Sequence, residues 1–531
     1  MPYSRRLLQN VSAEAGARLF YLATRFFIPP FVLGQVGLEA YGLYGTLFVL
    51  VAYFGMSAIG FSSAYIKYVA EFQANGETAR ANRMLSSGFT LMSASGILGF
   101  GAFLACWPRV EAWMKVPDPL RADARALAFL IIGTFFAYLA LSVFRDTLTG
   151  LQQIAVIQRV WILSFLAETA LIFALVGNGW GLLGLGISFS VRTAIELAAH
   201  YRLAKARIPW LRIRWVWPDR DSLGLLLSFG GIVQLNAMLS IFLNSVERVI
   251  ATPLLGLQAS GLLDLGKRFP AMATSIPSSF ASSVLPAAAE MHANNANKES
   301  IANLYLQTAR LMHAVSGLLF SFLACFATLC LSVWLGKVPE GAAILVVLFS
   351  LSSQVHLLTG PGTSILKAIG QPKMEFHYSL ANVIALAAIV PFVPRTVTGI
   401  AAACAAATVV SAAWFMGRAH AEMGVSLRRF GAEVLLPGLI PYVAGYLTVA
   451  LLQLGPAANG RWESLLLLAV AGPVFLILAT AGLYGFCASD GEREAVRRLT
   501  SRVPYFGLAA GPWPASVVAP VRRSTGISDC R

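Results

Sequence analysis

Apolar runs of about 20 to 28 residues follow one another along this chain with only short breaks between them, and little else about it limits the fold as severely. At ~1.5 Å per residue, a helix made from one such run crosses the ~30 Å hydrocarbon core of a bilayer. Backbone polar groups in that core must be satisfied within the segment, so runs of this length are read as helices. About fourteen spans are expected, at 12–33, 41–66, 85–107, 126–145, 156–177, 180–201, 226–250, 259–287, 306–335, 342–366, 376–396, 398–418, 433–455 and 462–487. Composition agrees: only 12% of the 531 residues are charged and 57% are hydrophobic, where a soluble chain carries roughly 25% charged residues. The expected class is an all-α polytopic membrane protein. A soluble multidomain enzyme, a nucleic-acid-binding protein and a secreted disulfide scaffold are excluded.

The net charge of +15 is therefore read first as a topology signal. With the N-terminus inside, alternate loops together with the span ends that flank them hold 27 Lys and Arg on the inner side and 7 on the outer, which predicts that both termini are cytoplasmic. The longest basic loop carries Arg202, Lys205, Arg207, Arg212, Arg214 and Arg220, after the sixth span. The arginine-rich tail from Ser489 reads as a solvated segment near anionic lipid. Arg5, Arg6, Glu14, Arg18 and Arg25 make the start unlike a cleavable signal peptide. The six cysteines are scattered with no C-x-x-C, so no metal site, cofactor or disulfide framework is expected. No G-x-x-x-x-G-K-[ST] phosphate loop occurs either.

A repeat of about 219 residues is expected. Gly37-Leu38-Glu39-Ala40-Tyr41-Gly42-Leu43 returns as Gly256-Leu257-Gln258-Ala259-Ser260-Gly261-Leu262, between the seventh and eighth spans. Gly150 pairs with Gly370 and Gly181 with Gly399 at nearly the same offset. Six helices is an even number, so the halves are parallel repeats forming two lobes around a central cavity. The expected units are a lobe at 1–205, a basic linker at 206–222, a second lobe at 223–422, two further helices at 423–489 and a tail at 490–531.

Ionisable groups inside spans cost about 2.5–3.5 kcal/mol each, so they usually face a cavity or a partner. Glu14–Arg18 and Arg192–Glu196 are i,i+4 pairs, and Asp264 precedes Lys267 and Arg268 by three and four residues. Arg248 follows Glu247 near the outer end of its span, where it can snorkel. Arg25 has no acid on its own helix and shares a face with Arg18, seven residues away. Two aligned guanidinium groups suit bidentate phosphate binding; a cross-helix ion pair with Glu168 or Asp146 is the alternative. Asn236, Ser240, Asn244 and Glu247 form a polar stripe on the seventh span, and the eighth continues it with Ser275 and Ser278, interrupted at Pro270 and Pro277. Such a wall suits sugar recognition and equally suits helix–helix hydrogen bonding. Gly360-Pro361-Gly362 is expected to break its helix and act as a gate, while His313 and His356 read as isolated polar contacts.

Gly37 to Leu43, the helix ending Tyr65-Ile66-Lys67-Tyr68-Val69-Ala70-Glu71, the run from Glu247-Arg248 to Gly261, and Thr149-Gly150-Leu151-Gln152-Gln153 carry a family resemblance. Over roughly residues 10–422 the chain resembles the Wzx-type oligosaccharide flippases of the multidrug/oligosaccharidyl-lipid/polysaccharide (MOP) superfamily. The resemblance implies a bacterial inner-membrane flippase that carries a polyprenyl-diphosphate-linked oligosaccharide to the periplasmic leaflet by alternating access. It implies a cationic diphosphate site at Arg18 and Arg25, supported by Lys267 and Arg268, with membrane lipids, a polysaccharide polymerase and export machinery as partners. Asp146, Glu168, Glu247 and Asp264 are coupling or ion-pair candidates. The two extra helices look more like the lipid II flippase branch, and Ser260-Gly261-Leu262-Leu263 lacks an aromatic residue the family often has after the glycine. A drug or cation exporter of the same superfamily should place an unpaired acid in its cavity. A membrane-embedded glycan-processing enzyme should carry a large outer loop or a His/Asp/Glu cluster, and the longest outer loop, 108–125, has neither.

Overall fold

A computed structural model describes residues 2–294, 297–453, 460–486 and 493, with side chains described except at 2–15, 18, 19, 22, 25, 57, 58, 229–237, 279–283 and 486. The expected cytoplasmic tail lies almost wholly outside the described residues. Among the described residues the regular structure is entirely helical. The first group comprises α1 (Pro2–Ala74), α2 (Thr78–Trp113), α3 (Arg121–Gly150), α4 (Ile154–Leu171) and α5 (Gly181–Arg207). The second comprises α6 (Arg220–Leu255), α7 (Leu257–Ala293), α8 (Lys298–Cys325), α9 (Ala327–Leu335), α10 (Ala342–Ala368), α11 (Lys373–Ile389) and α12 (Val397–Met423). The chain closes with α13 (Leu427–Phe430), α14 (Leu436–Leu452) and α15 (Arg461–Phe486).

Twelve stretches among the described residues are long and apolar enough to cross a membrane. α1 counts once there, although Gly37 (φ 79°, ψ 169°) divides it into two arms that are each more than thirty residues long. α7 is absent from the twelve because Asp264, Lys267 and Arg268 lie together within its described stretch 257–278 and make it too charged. Its prolines do not interrupt it: Pro270, Pro277 and Pro286 all lie inside continuous helix. Membrane helices tolerate proline where neighbouring groups meet the freed carbonyl. The split expected near Pro391 and Pro394 is present, as a short 3₁₀ turn at Val390–Phe392 before α12.

The two lobes meet through α1, which packs on both α6 and α7. The repeated motifs lie at this contact. Gly256 has φ 88° and ψ −175°, essentially the conformation of Gly37, and L-residues rarely adopt it. A Cβ on Gly42 would strike the backbone of Leu257 and Gly261, while one on Gly261 would strike Leu38 O and Gly42 Cα. Each glycine therefore meets the counterpart of its own motif, related by the 219-residue offset. The pairing of Gly150 with Gly370 needs correction. The turn after α3 places Gln152 at φ 60° and the turn after α10 places Gly370 at φ 87°, with matching amide hydrogen bonds at an offset of 218. Gly150 is small for another reason, since its Cβ position lies 2.9 Å from Ile66 O. Gly181 and Gly399 also differ: Gly181 opens α5 at φ 49°, whereas Gly399 donates its amide to the Thr396 cap of α12.

α14 docks on the second lobe by close approach and a polar clip. Gly438 faces the His313 ring and Gly317 faces Gly438 O. Tyr442 Oη donates to Gln354 Oε1, and Gln354 Nε2 donates to His313 Nδ1 at 3.3 Å. This sequence of bonds joins α14, α10 and α8 and gives His313 its polar partner.

Candidate functional site

A cavity of about 540 Å³ lies inside the second lobe, between α6, α7, α8, α10, α11 and α12. That volume is within the ordinary range of small-molecule sites. Its walls are rich in hydroxyl and amide groups, with Ser240, Asn244, Thr274, Ser353, Thr363 and Asn382 among them. Lys267 is the cation on the wall. Its Nζ donates to Glu247 Oε1 at 2.7 Å and to Asn244 O at 2.5 Å, and lies 5.7 Å from the centre of the Phe349 ring. Glu247 is buried, so its charge is met by a partner rather than by water. His356 is also on the wall, bonded through Nδ1 to Tyr378 Oη at 2.8 Å with the two rings stacked. Glu375, which does line the wall, is paired with Lys367 at 2.7 Å.

Successive helical residues point ~100° apart, and this separates two networks along the same helices. Glu247 and Lys267 serve the cavity, while their neighbours Arg248 and Arg268 turn toward the first lobe. Arg248 and Arg268 both pair with Asp264. Tyr41 Oη of the first lobe donates to Asp264 Oδ2 at 2.5 Å and accepts from Arg268 at 2.9 Å. Arg248 reaches Gly45 O at 3.2 Å, and Thr46 shares a 2.7 Å hydroxyl bond with Ser260. Trp334 Nε1 donates to Phe26 O, and Lys115 Nζ to Leu254 O, at the same end of the molecule. These bonds form a latch that holds the lobes together. The expected snorkelling of Arg248 is not observed, because Asp264 and the Gly45 carbonyl give its guanidinium partners within the protein.

Of the predicted site residues, Lys267, Ser240 and Asn244 share the cavity, with Glu247 behind Lys267. Arg268 and Asp264 belong to the latch. Arg18 and Arg25 lie along α1 and Asn236 along α6, but their side chains are outside the described ones. Gly360, Pro361 and Gly362 are uninterrupted α10 helix, which corrects the expected break. Thr363 Oγ1 bonds Gly360 O at 2.8 Å, and Gly362 packs on the Phe415 ring, so local groups hold the helix through its proline. Gly360 remains on the cavity wall. In the first lobe, Arg192 joins Glu168 at 3.3 Å and Glu196 at 3.1 Å, with Ser164 donating to Glu196. Asp146 is buried separately, beside Ser62, Tyr65 and Ser142. Tyr41, Tyr378 and His356 were not singled out as site residues by sequence, since their partners lie on other helices. Among the described residues, no group of three or more His, Cys, Asp and Glu side chains is placed to hold a metal ion.

Residues 36–342, more than half of the chain, match the family described as polysaccharide biosynthesis protein. The chain belongs to that family. This polysaccharide biosynthesis protein is similar to the uncharacterized membrane protein EpsK of Bacillus subtilis (strain 168). The two are 22% identical over 349 residues, which cover 64% of this chain and 67% of EpsK. The fold of this chain is shared with the lipid II flippase MurJ in an inward closed conformation, at a TM-score of 0.69 and 11% identity, over 89% of this chain and 98% of that one. An inward-facing multidrug resistance MATE transporter of the MOP superfamily aligns at a TM-score of 0.59 and 16% identity, over 77% and 94%. The MATE transporter VcmN of Vibrio cholerae aligns at 0.54 and 16%, over 80% and 98%. The two-lobe all-helical architecture expected from the sequence is therefore present, and it is the fold shared with these solved structures.

Proposed function

We propose that this protein moves a polyprenyl-diphosphate-linked oligosaccharide from the cytoplasmic to the periplasmic leaflet of a bacterial inner membrane. The observation that carries the reading is the Lys267 ammonium on a cavity wall of hydroxyls and amides. Two of its three donors are committed to Glu247 and Asn244, which leaves one for a ligand oxygen. Family membership supports a glycan as the cargo, and the fold supports transport rather than catalysis. Arg18 and Arg25 are proposed to receive the diphosphate on the first lobe.

The bias of 27 Lys and Arg to 7 supports cytoplasmic termini, which puts the Tyr41–Asp264 latch at the periplasmic end. The latch then closes the outer mouth while cargo loads from the cytoplasmic side. Rocking of the lobes breaks it, and downstream polymerisation by a partner enzyme consumes the product. The test is translocation of a fluorescent polyprenyl-diphosphate oligosaccharide in proteoliposomes. Wild type should flip it, and Lys267→Gln and Arg25→Ala should each reduce the rate at least tenfold. Flipping at the wild-type rate in both variants would remove these residues from the site. Export of a cationic dye with no glycan flipping would replace the reading by that of a drug exporter.

A further inference from the structure

The segment between α5 and α6, residues 208–219, is not a slack hinge. After a turn at Ile208–Leu211 it runs along α2, and side chains of α2 bond its backbone from Trp210 to Val216. Asn82 Nδ2 donates to Trp210 O at 2.7 Å while its Oδ1 accepts from Arg212 N at 2.7 Å. Ser86 Oγ accepts from Arg214 N at 3.2 Å and lies 3.5 Å from Arg212 O. Thr90 Oγ1 accepts from Val216 N at 3.2 Å. The register works because two residues of extended chain advance ~6.6 Å, close to the ~6 Å between helical residues four apart. Ser87 Oγ then bonds Asp219 Oδ1 at 3.3 Å, where α6 begins.

This strap descends along α2, which sets its depth. Thirty-six residues make α2 about 54 Å long, some 24 Å more than a ~30 Å hydrocarbon core. With the core centred on the helix, its boundary falls near Ser86, and Asn82 stands on the headgroup side. Arg212 and Arg214 are exposed beside these two positions. Trp215 packs edge-on against Phe89 yet stays 61% exposed, and Trp217 is 94% exposed. Indole rings concentrate at the membrane–water boundary, and arginines beside them meet lipid phosphates.

We propose that the 208–219 strap is a membrane-interface anchor that binds anionic phospholipid headgroups, with Arg212 and Arg214 on the phosphates and Trp215 and Trp217 at the acyl boundary. The anchor ties the first lobe to one leaflet through α2, at the point where the chain passes into α6 of the second. It does not depend on which cargo is carried.

The full chain in mixed phosphatidylcholine–phosphatidylglycerol nanodiscs tests this. The emission of Trp217, taken as wild type minus Trp217→Phe, is read against lipids brominated near the headgroup. Brominated phosphatidylglycerol should quench it at about fivefold lower mole fraction than brominated phosphatidylcholine. The exposed double change Arg212→Gln/Arg214→Gln should erase that preference while leaving the quenching itself. Equal quenching by both lipids in wild type would overturn the headgroup selectivity. Quenching by aqueous acrylamide but not by either bromolipid would overturn the anchor and point to a soluble acidic partner.

Discussion

Replacing Tyr41 by Phe tests the latch, because the change keeps the ring and removes only the hydroxyl. In the closed form that hydroxyl donates to the Asp264 carboxylate at 2.5 Å and accepts from Arg268 at 2.9 Å. Tyr41 is 3% exposed there, and once the lobes part water replaces both bonds. A hydrogen bond to a charged group contributes about 1.5–3 kcal/mol, so the closed form should lose about 10- to 150-fold in its population ratio. Adding Thr46→Val removes the bond to Ser260 and contributes about 1 kcal/mol more. The assay is a spin-label distance in nanodiscs between Asp118→Cys and Glu340→Cys, in a background free of other cysteines. Both positions are exposed, one on each lobe near the latch. The long-distance population should rise in Tyr41→Phe and rise again in the double variant. Identical distance distributions in all three proteins would refute the latch and the energetics assigned to it.

Other outcomes follow from the same geometry. Gly261→Ala puts a Cβ 2.7 Å from Leu38 O; backbone cannot yield, so the same spin-label pair should separate, and an unchanged distance would contradict the close lobe contact. Arg192→Gln removes the guanidinium joining buried Glu168 and Glu196, and should cost about 3–5 kcal/mol, read as a large fall in melting temperature in detergent. Tyr442→Phe leaves the buried Gln354 oxygen without its donor, at about 1–3 kcal/mol; amide exchange should quicken in α14 and not in α3. Asn82→Ala removes two bonds from the strap, and should increase proteolytic cutting near Trp210 without altering the rest of the digest.

Hydropathy placed the spans because a bilayer dictates their length, and the span expected at 259–287 lies within α7 despite its charges. Gly37 and Gly256 were legible as equivalents because their backbone conformation all but requires glycine. Gln152 was not, since it adopts a left-handed turn at a cost that other contacts meet. The cavity was half visible: Ser240, Asn244 and Lys267 form a pattern along the chain, whereas Tyr378, His356 and Asn382 reach it from helices with no comparable stripe. The latch was hidden for a different reason. Arg248 was read against its sequence neighbour Glu247, but adjacent helical residues face apart, and the true partner, Asp264, lies on another helix. Tyr41 and Asp264 are 223 residues apart, a separation that no local pattern records.

The reciprocal seating of Gly42 and Gly261 has a historical consequence. A patch that meets its own copy about a two-fold axis is the contact made by a symmetric homodimer. A half-length ancestor with this motif would have carried a self-complementary surface, and six membrane crossings would have set two copies side by side in the same orientation. Duplication and fusion would then have supplied no new interface, only a tether between partners that already recognised each other. The tether freed each half to diverge, and Asp264 and Arg268 stand in the second where the offset of 219 places Gly45 and Val49 in the first.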